Sequence, residues 1–400
     1  THVAGVIAAQ NDNGEGISSI AGGTSSQPGV KIMSCQIFSG DKGGNSMTSV
    51  KAIKYAADNG AVVLQCSWGY VSGTANSYEW GTPGYATEEE WETMDPLQKE
   101  ALDYFIHNAG SPNGPIEGGI AVFASGNEYA NSAGFPGAAE MCVSVPATAA
   151  DFTPATYTNY GPGTKIAAPG GDRDYYWDYW TEGDNATRGE TGCVLSTLPF
   201  NVSETGYGYM EGTSMACPHV SGVAALGLSY ALEKGKKFSL DEFKTMLLTS
   251  VNEIDSRLGE GSKATIADVS IYRGKMGTGI TDAYQLLMQI EGTPCLRVAV
   301  GEVQLIPLTQ HFGQGAEDLT YTDIRMSAKD MEKLGIKAAP KMYNGKLMIK
   351  CTKPGSAKIK VSAIAGGTKP GTGVVMGGMV VTKEFAVIAR SAGAANGGWL

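Results

Sequence analysis

A serine stands at the start of an apolar helix in the segment Gly212-Thr213-Ser214-Met215-Ala216-Cys217-Pro218-His219. The glycine at position 212 permits a tight entry into the helix, and Pro218 falls near the first turn, where its missing N–H costs little. Backbone N–H groups and the positive end of the helix dipole would then point toward Ser214. This setting suits a nucleophile whose attack creates an oxyanion, although a serine at a generic helix start is more often a plain N-cap.

The same segment resembles the nucleophile motif of the subtilisin-like serine proteases, and other segments resemble this family in the family's own order. Thr1-His2-Val3-Ala4-Gly5 is similar to the end of the family's H-G-T-H-V-A-G segment. Thr158-Asn159-Tyr160-Gly161 and Ala167-Ala168-Pro169-Gly170 are similar to its S-N-Y-G and A-P-G stretches. The resemblance extends over about the first 290 residues, and on these motifs the chain is identified as a member of the family.

The resemblance implies a role for each matched residue. Ser214 matches the nucleophile, and Asn127 matches the side chain that donates a hydrogen bond to the tetrahedral oxyanion. Two segments would flank the pocket for the residue before the scissile bond, and their backbones would pair with an extended substrate. These segments are Ser67, Trp68 and Gly69, and Ala124, Ser125 and Gly126. The implied activity is endopeptidase hydrolysis through an acyl-enzyme at Ser214, with protein or peptide substrates.

The chain departs from the family's pattern at its first residue. The family's catalytic histidine is the first His of H-G-T-H, whereas this sequence begins at the Thr of that motif, so His2 matches the second, non-catalytic histidine. The family's catalytic aspartate lies further upstream. We therefore expect both residues in an N-terminal segment outside these 400 residues, as part of a longer protein or as a cleaved segment or propeptide that stays bound. The 400 residues alone should be inactive, because a serine without a base is an ordinary alcohol.

The other histidines do not replace the missing base in this interpretation. His219 follows Ser214 by five residues on the same helix, which turns it about 140° around the axis and away from Ser214. His107 and His311 match no motif of the family. His2 would lie one helical turn beyond the family's catalytic histidine, near the site but without a match to its role.

The elements that must position these residues alternate between strands and helices. Apolar strands at 61–66, 119–124 and 141–147, separated by helices, favour a parallel sheet covered by helices on both faces, and Lys31 to Phe38 also has a strand pattern. After Gly292 the pattern changes to short alternating strands with Gly, Pro and Asn turns. We predict an α/β subtilisin-like domain over 1–292 that lacks its N-terminal part. An all-β, immunoglobulin-like sandwich over 293–390 and a tail over 391–400 would follow it.

Composition excludes several other classes of protein. The formal net charge is −10 and the pI is near 5.0, which argues against nucleic acid as a partner. The sequence has no run of 18 apolar residues, so we predict no membrane span. The seven cysteines form no CxxC pair, which gives no support for a zinc or redox site. We expect no required cofactor and assign no metal ligand. The family allows calcium as a structural ion.

Two other functions remain open at this stage. The chain could be a non-catalytic binding or surface protein on a protease scaffold, with contacts made by the Tyr- and Trp-rich loops at 70–95 and 170–192. An α/β-hydrolase is a weaker option, because Gly212-Thr213-Ser214-Met215-Ala216 lacks the second glycine of G-x-S-x-G. From the family and the added β domain we expect a secreted protein or one in the bacterial cell envelope.

Overall fold

The computed structural model describes residues 1–39, 44–173, 192–252, 254–258, 268–312, 319–364 and 380–390. The chain divides into two compact units, Thr1–Leu287 and Met288–Leu400. The division falls within a helix, Ala283–Glu291, that ends just before the predicted boundary at residue 292. The predicted tail at 391–400 and most of the loop at 170–192 lie outside the described residues.

The first unit mixes helices with short strands. Its helices are α1 His2–Ala8, α2 Ser46–Asp58, α3 Ser77–Trp80, α4 Glu88–Met94, α5 Pro96–Asn108, α6 Thr213–Glu233, α7 Leu240–Thr249 and α8 Ala283–Glu291. Its strands are β1 Val63–Cys66, β2 Ile120–Ala124, β3 Val143–Val145, β4 Ala147–Thr148, β5 Ala168–Pro169, β6 Val194–Thr197, β7 Tyr207–Met210, β8 Val251–Asn252 and β9 Ile280–Thr281. Short 3₁₀ turns follow at Asp255–Arg257 and Val269–Tyr272.

A parallel three-stranded sheet forms the centre of this unit, in the order β1-β2-β3. Both strand pairs are parallel, so the predicted parallel arrangement is confirmed for these strands. Every residue of β2 is buried, because helices cover both of its faces. Phe123 packs with α2 and α5 on one face, and α6 packs against β1 and β2, with Cys217 Sγ 3.5 Å from the Val122 carbonyl oxygen.

The predicted strand at Lys31 to Phe38 is wrong, since the structure has no strand there. Ile32, Met33 and Phe38 in this stretch are exposed. A strand needs a neighbour that takes up its backbone hydrogen bonds, and among the described residues no strand lies beside this segment. The apolar pattern alone therefore did not determine the local structure.

The helix α6 has the length and composition that a membrane span requires. However, 67% of its most apolar stretch is buried inside the protein, as is typical of a core helix in a globular domain. It is thus weak evidence for a span. The sequence-based expectation of no membrane span remains a prediction.

The second unit contains two sheets that share one apolar core. The strands are β10 Cys295–Ala299, β11 Val303–Pro307, β12 Thr320–Arg325, β13 Lys341–Tyr343, β14 Lys346–Lys350, β15 Gly355–Ile364 and β16 Val380–Arg390. A mixed sheet has the order β10-β16-β15-β12, and an antiparallel sheet has the order β11-β14-β13. A short helix, α9 Ala328–Lys333, and a 3₁₀ turn, Thr309–His311, also occur, so the unit is not purely β. The immunoglobulin-like sandwich stays a prediction.

Candidate active site

Ser214 is the second residue of α6, at the carboxyl end of the central sheet. Gly212 caps the helix with a φ of 139°, a backbone conformation that side-chain-bearing residues rarely adopt. Ser214 Oγ donates a hydrogen bond to the Ser67 carbonyl oxygen at 3.3 Å, and Ser67 Oγ donates to the Ser214 carbonyl oxygen at 2.6 Å. This reciprocal pair fastens the end of β1 to the start of α6, so two of the predicted site residues lie in direct contact.

Asn127 is held beside Ser214 by Thr213. The Asn127 side-chain oxygen accepts hydrogen bonds from the Thr213 backbone N–H at 2.8 Å and from Thr213 Oγ1 at 2.9 Å. A backbone N–H can only donate, so the amide oxygen must face Thr213. The amide nitrogen, on the other branch of the side chain, is then available to donate to a different acceptor.

Two donors border the space next to Gly212. The backbone N–H of Ser214, as the second in the helix, has no carbonyl one turn earlier to accept it. A Cβ added at Gly212 would lie 3.6 Å from the Ser214 nitrogen, 3.7 Å from Asn127 Oδ1 and 3.8 Å from Asn127 Nδ2, and Oδ1 is already occupied by Thr213. The absence of a side chain at residue 212 therefore keeps this space open. A backbone N–H and an amide that converge in this way form the type of site that stabilises an oxyanion.

The two predicted substrate segments follow β1 and β2, which are adjacent strands. Trp68 packs edge-on against Phe123 with ring centroids 5.3 Å apart, and a Cβ at Gly69 would lie 3.1 Å from the Phe135 carbonyl oxygen. Ala124 is the last residue of β2 and is buried. Both segments therefore border the same edge of the sheet as Ser214.

Pairing of the two backbones with a substrate stays a prediction, and the second segment already uses several of its backbone groups inside the protein. The Ser125 N–H donates to the Val145 carbonyl oxygen at 3.2 Å, and the Gly126 N–H donates to Thr213 Oγ1 at 3.2 Å. The Ser125 carbonyl oxygen accepts from the Gly134 N–H and from Asn159 Nδ2. Since these groups are already hydrogen-bonded inside the protein, Ser125 and Gly126 can line a pocket but have fewer backbone groups left to pair with a substrate strand.

None of the three histidines of the first unit hydrogen-bonds to Ser214 within the described part of the chain. His2 is buried, with Nε2 3.0 Å from the Val194 carbonyl oxygen and 3.2 Å from that of Gly208. His219 Nδ1 lies 2.8 Å from the Met215 carbonyl oxygen, and His107 Nδ1 lies 2.8 Å from that of Asp103. Burial lowers the pKa of both His2 and His219, which favours their neutral forms.

Tyr157 is a partly buried contributor that the sequence did not single out. Its hydroxyl accepts a hydrogen bond from the Gly212 N–H at 2.8 Å and donates to the Gly171 carbonyl oxygen at 2.6 Å. Burial raises the pKa of Tyr157 well above its usual value, so the hydroxyl keeps its proton. Tyr157 lies 55 residues from Gly212 along the chain, and only the fold brings the two together.

The described residues contain no group of three or more His, Cys, Asp or Glu side chains that could hold a metal ion. A set of charged ligands for structural calcium is therefore not apparent in that part of the chain. The chemistry derived below uses none.

A serine at a helix N-terminus, beside an amide donor and at the carboxyl edge of a parallel α/β sheet, has the layout of a serine hydrolase site. A family model described as the subtilase family matches residues 1–265, well over half of the chain. The chain belongs to the subtilase family of serine proteases, as its sequence motifs predicted.

Curated relatives support this family. The chain is 30% identical over 226 residues to alkaline elastase YaB of Bacillus sp. (strain YaB), covering 56% of this chain and 43% of that protein. It is 28% identical over 268 residues to a cell wall-associated protease of Bacillus subtilis (strain 168), covering 67% of this chain and 23% of that protein. The chain thus spans less than half the length of these two relatives.

Solved structures give a weaker likeness. A protease from Pseudoalteromonas arctica PAMC 21717 aligns over 72% of this chain and 70% of that one, at 24% identity and with a TM-score of 0.48. A prenylagaramide maturation protease, PagA, aligns with a TM-score of 0.49 at 21% identity, over 73% of this chain and 82% of that one. Nothing about the site rests on these two likenesses.

Proposed function

We propose that the chain carries the nucleophile half of a subtilisin-like serine endopeptidase. Ser214 attacks the peptide carbonyl and forms an acyl-enzyme, while Asn127 Nδ2 and the Ser214 N–H donate to the oxyanion of the tetrahedral intermediate. The observation that carries this proposal is the pair of hydrogen bonds from Thr213 to the Asn127 side-chain oxygen. They fix this oxygen on Thr213 and leave the amide nitrogen, which borders the space at Gly212, to donate to another acceptor.

The general base and the aspartate that orients it are proposed to come from a segment N-terminal to Thr1. This part of the proposal is supported by the histidines of the first unit, since all three hydrogen-bond elsewhere, and the Ser214 hydroxyl donates to the carbonyl oxygen of Ser67. A carbonyl oxygen cannot take the proton that Ser214 must lose. In this proposal the 400 residues alone are inactive, and the chain joined to its upstream segment is active.

Proteins or peptides are the proposed substrates, bound with an apolar side chain before the cut. Trp68 and Ala124 supply apolar surface at the sheet edge, and the backbone of Ser67 to Gly69 provides the strand with which the substrate pairs. Secretion or a location in the cell envelope is also proposed. Relatives named as a cell wall-associated protease and as the extracellular basic protease of Dichelobacter nodosus support this location.

A fluorophosphonate probe tests the proposal, because it reacts with activated serines. The chain joined to its upstream segment should be labelled at Ser214, and the Ser214→Ala variant should not. Ser221→Ala, on the same helix and buried, is the matched control and should still be labelled. Failure to label the joined protein would contradict the proposed activity and would favour a non-catalytic binding protein on the same scaffold.

A further inference from the structure

The two units of the chain carry opposite charge. Residues 288–400 contain 14 Lys and Arg against 8 Asp and Glu, a formal charge of +6. Residues 1–287 contain 16 against 32, a formal charge of −16. The overall acidity of the chain therefore conceals a basic second unit, and such asymmetry is typical of a unit that contacts a polyanion or an anionic surface.

Three of these fourteen basic side chains lie together on one face of the sheet β11-β14-β13. In β14, Leu347 and Ile349 are buried in the core of the unit, so Lys346, Met348 and Lys350 alternate onto the opposite, outer face. The strand register places the outer side chains of the neighbouring strands beside them. Val303 lies opposite Lys350, Leu305 and Lys341 flank Met348, and Pro307 and Tyr343 flank Lys346.

The outer face, which comprises these eight residues, combines exposed apolar side chains with lysines. Val303 is 57% exposed, Leu305 is 45% exposed and Tyr343 is 52% exposed. None of the three lysines makes an ion pair within the described residues, and no Asp or Glu stands on the face. The neighbouring Glu302 precedes β11, and its carboxylate accepts a hydrogen bond from Gln304, which alternates to the inner face. Contiguous apolar side chains on an exposed sheet mark a surface that contacts something else.

We propose that the outer face docks on an anionic lipid bilayer. Val303, Leu305 and Met348 enter the boundary between headgroups and acyl chains, Tyr343 lies at the headgroup level, and Lys341, Lys346 and Lys350 contact the phosphates. The chemistry of the face favours a lipid surface over an acidic polysaccharide. Its uncharged side chains are aliphatic except for Tyr343, and the face offers no amide or other hydroxyl side chain for sugar hydroxyls.

Sedimentation of the full chain with vesicles tests the proposal. Binding is expected to vesicles of phosphatidylcholine with phosphatidylglycerol, to weaken with salt, and to be absent with phosphatidylcholine alone. The triple variant Lys341→Gln, Lys346→Gln, Lys350→Gln should bind roughly 100-fold more weakly, at somewhat under tenfold per lysine. Leu305→Ser, which leaves the charge unchanged, should weaken binding roughly five- to tenfold.

The matched control removes the same charge from the same unit at a different place. Lys329 and Lys333 on α9 and Lys337 just after it are exposed and stand outside the outer face. Their triple change to Gln should leave vesicle binding within about threefold of the unchanged chain. An equal loss of vesicle binding in the two triple variants would show that binding depends only on the net charge of the unit, and it would overturn the proposal.

Two further results would also overturn it. One is binding to a soluble acidic polysaccharide, lost in the Lys341, Lys346 and Lys350 variant, without binding to vesicles. The other is a dimer of the chain in sedimentation velocity that Leu305→Ser abolishes, again without binding to vesicles. Near-ultraviolet circular dichroism should match in all variants, because every substituted side chain is exposed. None of these measurements depends on peptidase activity. The docking surface and the proposed function are therefore tested independently.

Discussion

Thr213 donates two hydrogen bonds to the same oxygen of Asn127, one from its backbone N–H at 2.8 Å and one from Oγ1 at 2.9 Å. The two residues are 86 positions apart in the chain. The contact joins the turn after β2 to the first residue of α6, and it sets which branch of the Asn127 amide can donate. The residue that precedes the nucleophile therefore orients the proposed oxyanion donor.

Replacing Thr213 by valine should weaken this orientation while preserving the shape of the side chain. Thr213→Val removes both hydrogen bonds of Oγ1, the one to Asn127 and the one from the Gly126 N–H, and keeps the backbone bond to Asn127. We expect kcat to fall about tenfold with KM little changed, less than the 10²–10³ known for loss of the whole oxyanion amide in subtilisin. Steady-state kinetics on the chain joined to its upstream segment measures this. Thr213→Ser, which keeps the hydroxyl, should remain close to the unchanged enzyme, and a rise in KM with constant kcat would contradict the assigned role.

The hydroxyl of Tyr157 should stabilise the turn that enters α6. Tyr157→Phe removes one of two acceptors of the Gly212 N–H, which still donates to the Gly170 carbonyl oxygen at 3.0 Å. It also removes the hydrogen bond from the hydroxyl to the Gly171 carbonyl oxygen. The loss costs about 0.5–1.5 kcal/mol. We expect the free energy of unfolding by urea to fall by about this amount, and kcat to fall with it because Gly212 adjoins Thr213.

Tyr160→Phe is the matched control for Tyr157→Phe. Tyr160 is buried, and its hydroxyl makes no hydrogen bond among the described residues. Tyr160→Phe should change the free energy of unfolding by no more than about 0.5 kcal/mol and should leave kcat nearly unchanged. Equal effects of the two substitutions would show that the Tyr157 hydroxyl has no specific part in holding the turn.

Replacing Gly212 by alanine should abolish activity, because the added methyl group enters the open space beside Ser214. Gly212→Ala forces a side chain into a backbone conformation at φ 139° and places a Cβ 3.6 Å from the Ser214 nitrogen. We expect loss of fluorophosphonate labelling in a protein that remains folded by circular dichroism. Gly235→Ala is the control, because it also replaces a glycine with positive φ (63°) but meets nothing within 4 Å. Labelling that survives in Gly212→Ala would contradict the position given to the oxyanion.

Acid should destabilise the first unit through two histidines, His2, which is buried, and His219, which is partly buried. Burial lowers the pKa of His2 and of His219 in the folded chain below the usual 6.5. The unfolded chain therefore binds more protons as the pH falls below about 6.5. The stability contribution is present above that pH and is lost as the pH falls toward the lower folded pKa, at up to about 1.4 kcal/mol per pH unit for each histidine.

Urea unfolding at several pH values between about 5 and 7.5 measures this dependence. His2→Gln should flatten the slope below pH 6.5, because the replacement does not titrate. A slope that His2→Gln does not alter would show that this histidine is not the source of the acid sensitivity.

The sequence predicted those parts of the fold and site that depend on local patterns and motifs. The three apolar segments before Ser67, after Gly118 and after Glu140 were predicted as parallel strands, because continuous apolar runs between helices bury both faces of a sheet. Ser214 and Asn127 were found through their motifs. In the structure Asn127 is hydrogen-bonded to Thr213, the residue that precedes Ser214. Their catalytic roles stay proposals.

Contacts between distant segments could not be predicted in the same way. The Tyr157 hydroxyl reaches Gly212 only because the fold brings two loops together, and no pattern around Tyr157 indicates it. The hydrogen bonds that occupy the Ser125 and Gly126 N–H groups likewise come from β3 and from Thr213. The stretch from Lys31 to Phe38 was taken as a strand on its composition, but a strand also requires a partner.

Burst kinetics with a peptide ester test the central claim most directly, using the chain joined to its upstream segment. We predict a burst of released alcohol equivalent to one acyl-enzyme per Ser214. The burst should be absent in Ser214→Ala and should slow by about 10²–10³ in Asn127→Ala. A full burst in Ser214→Ala, or an unchanged burst rate in Asn127→Ala, would contradict the assignment of nucleophile and oxyanion donor.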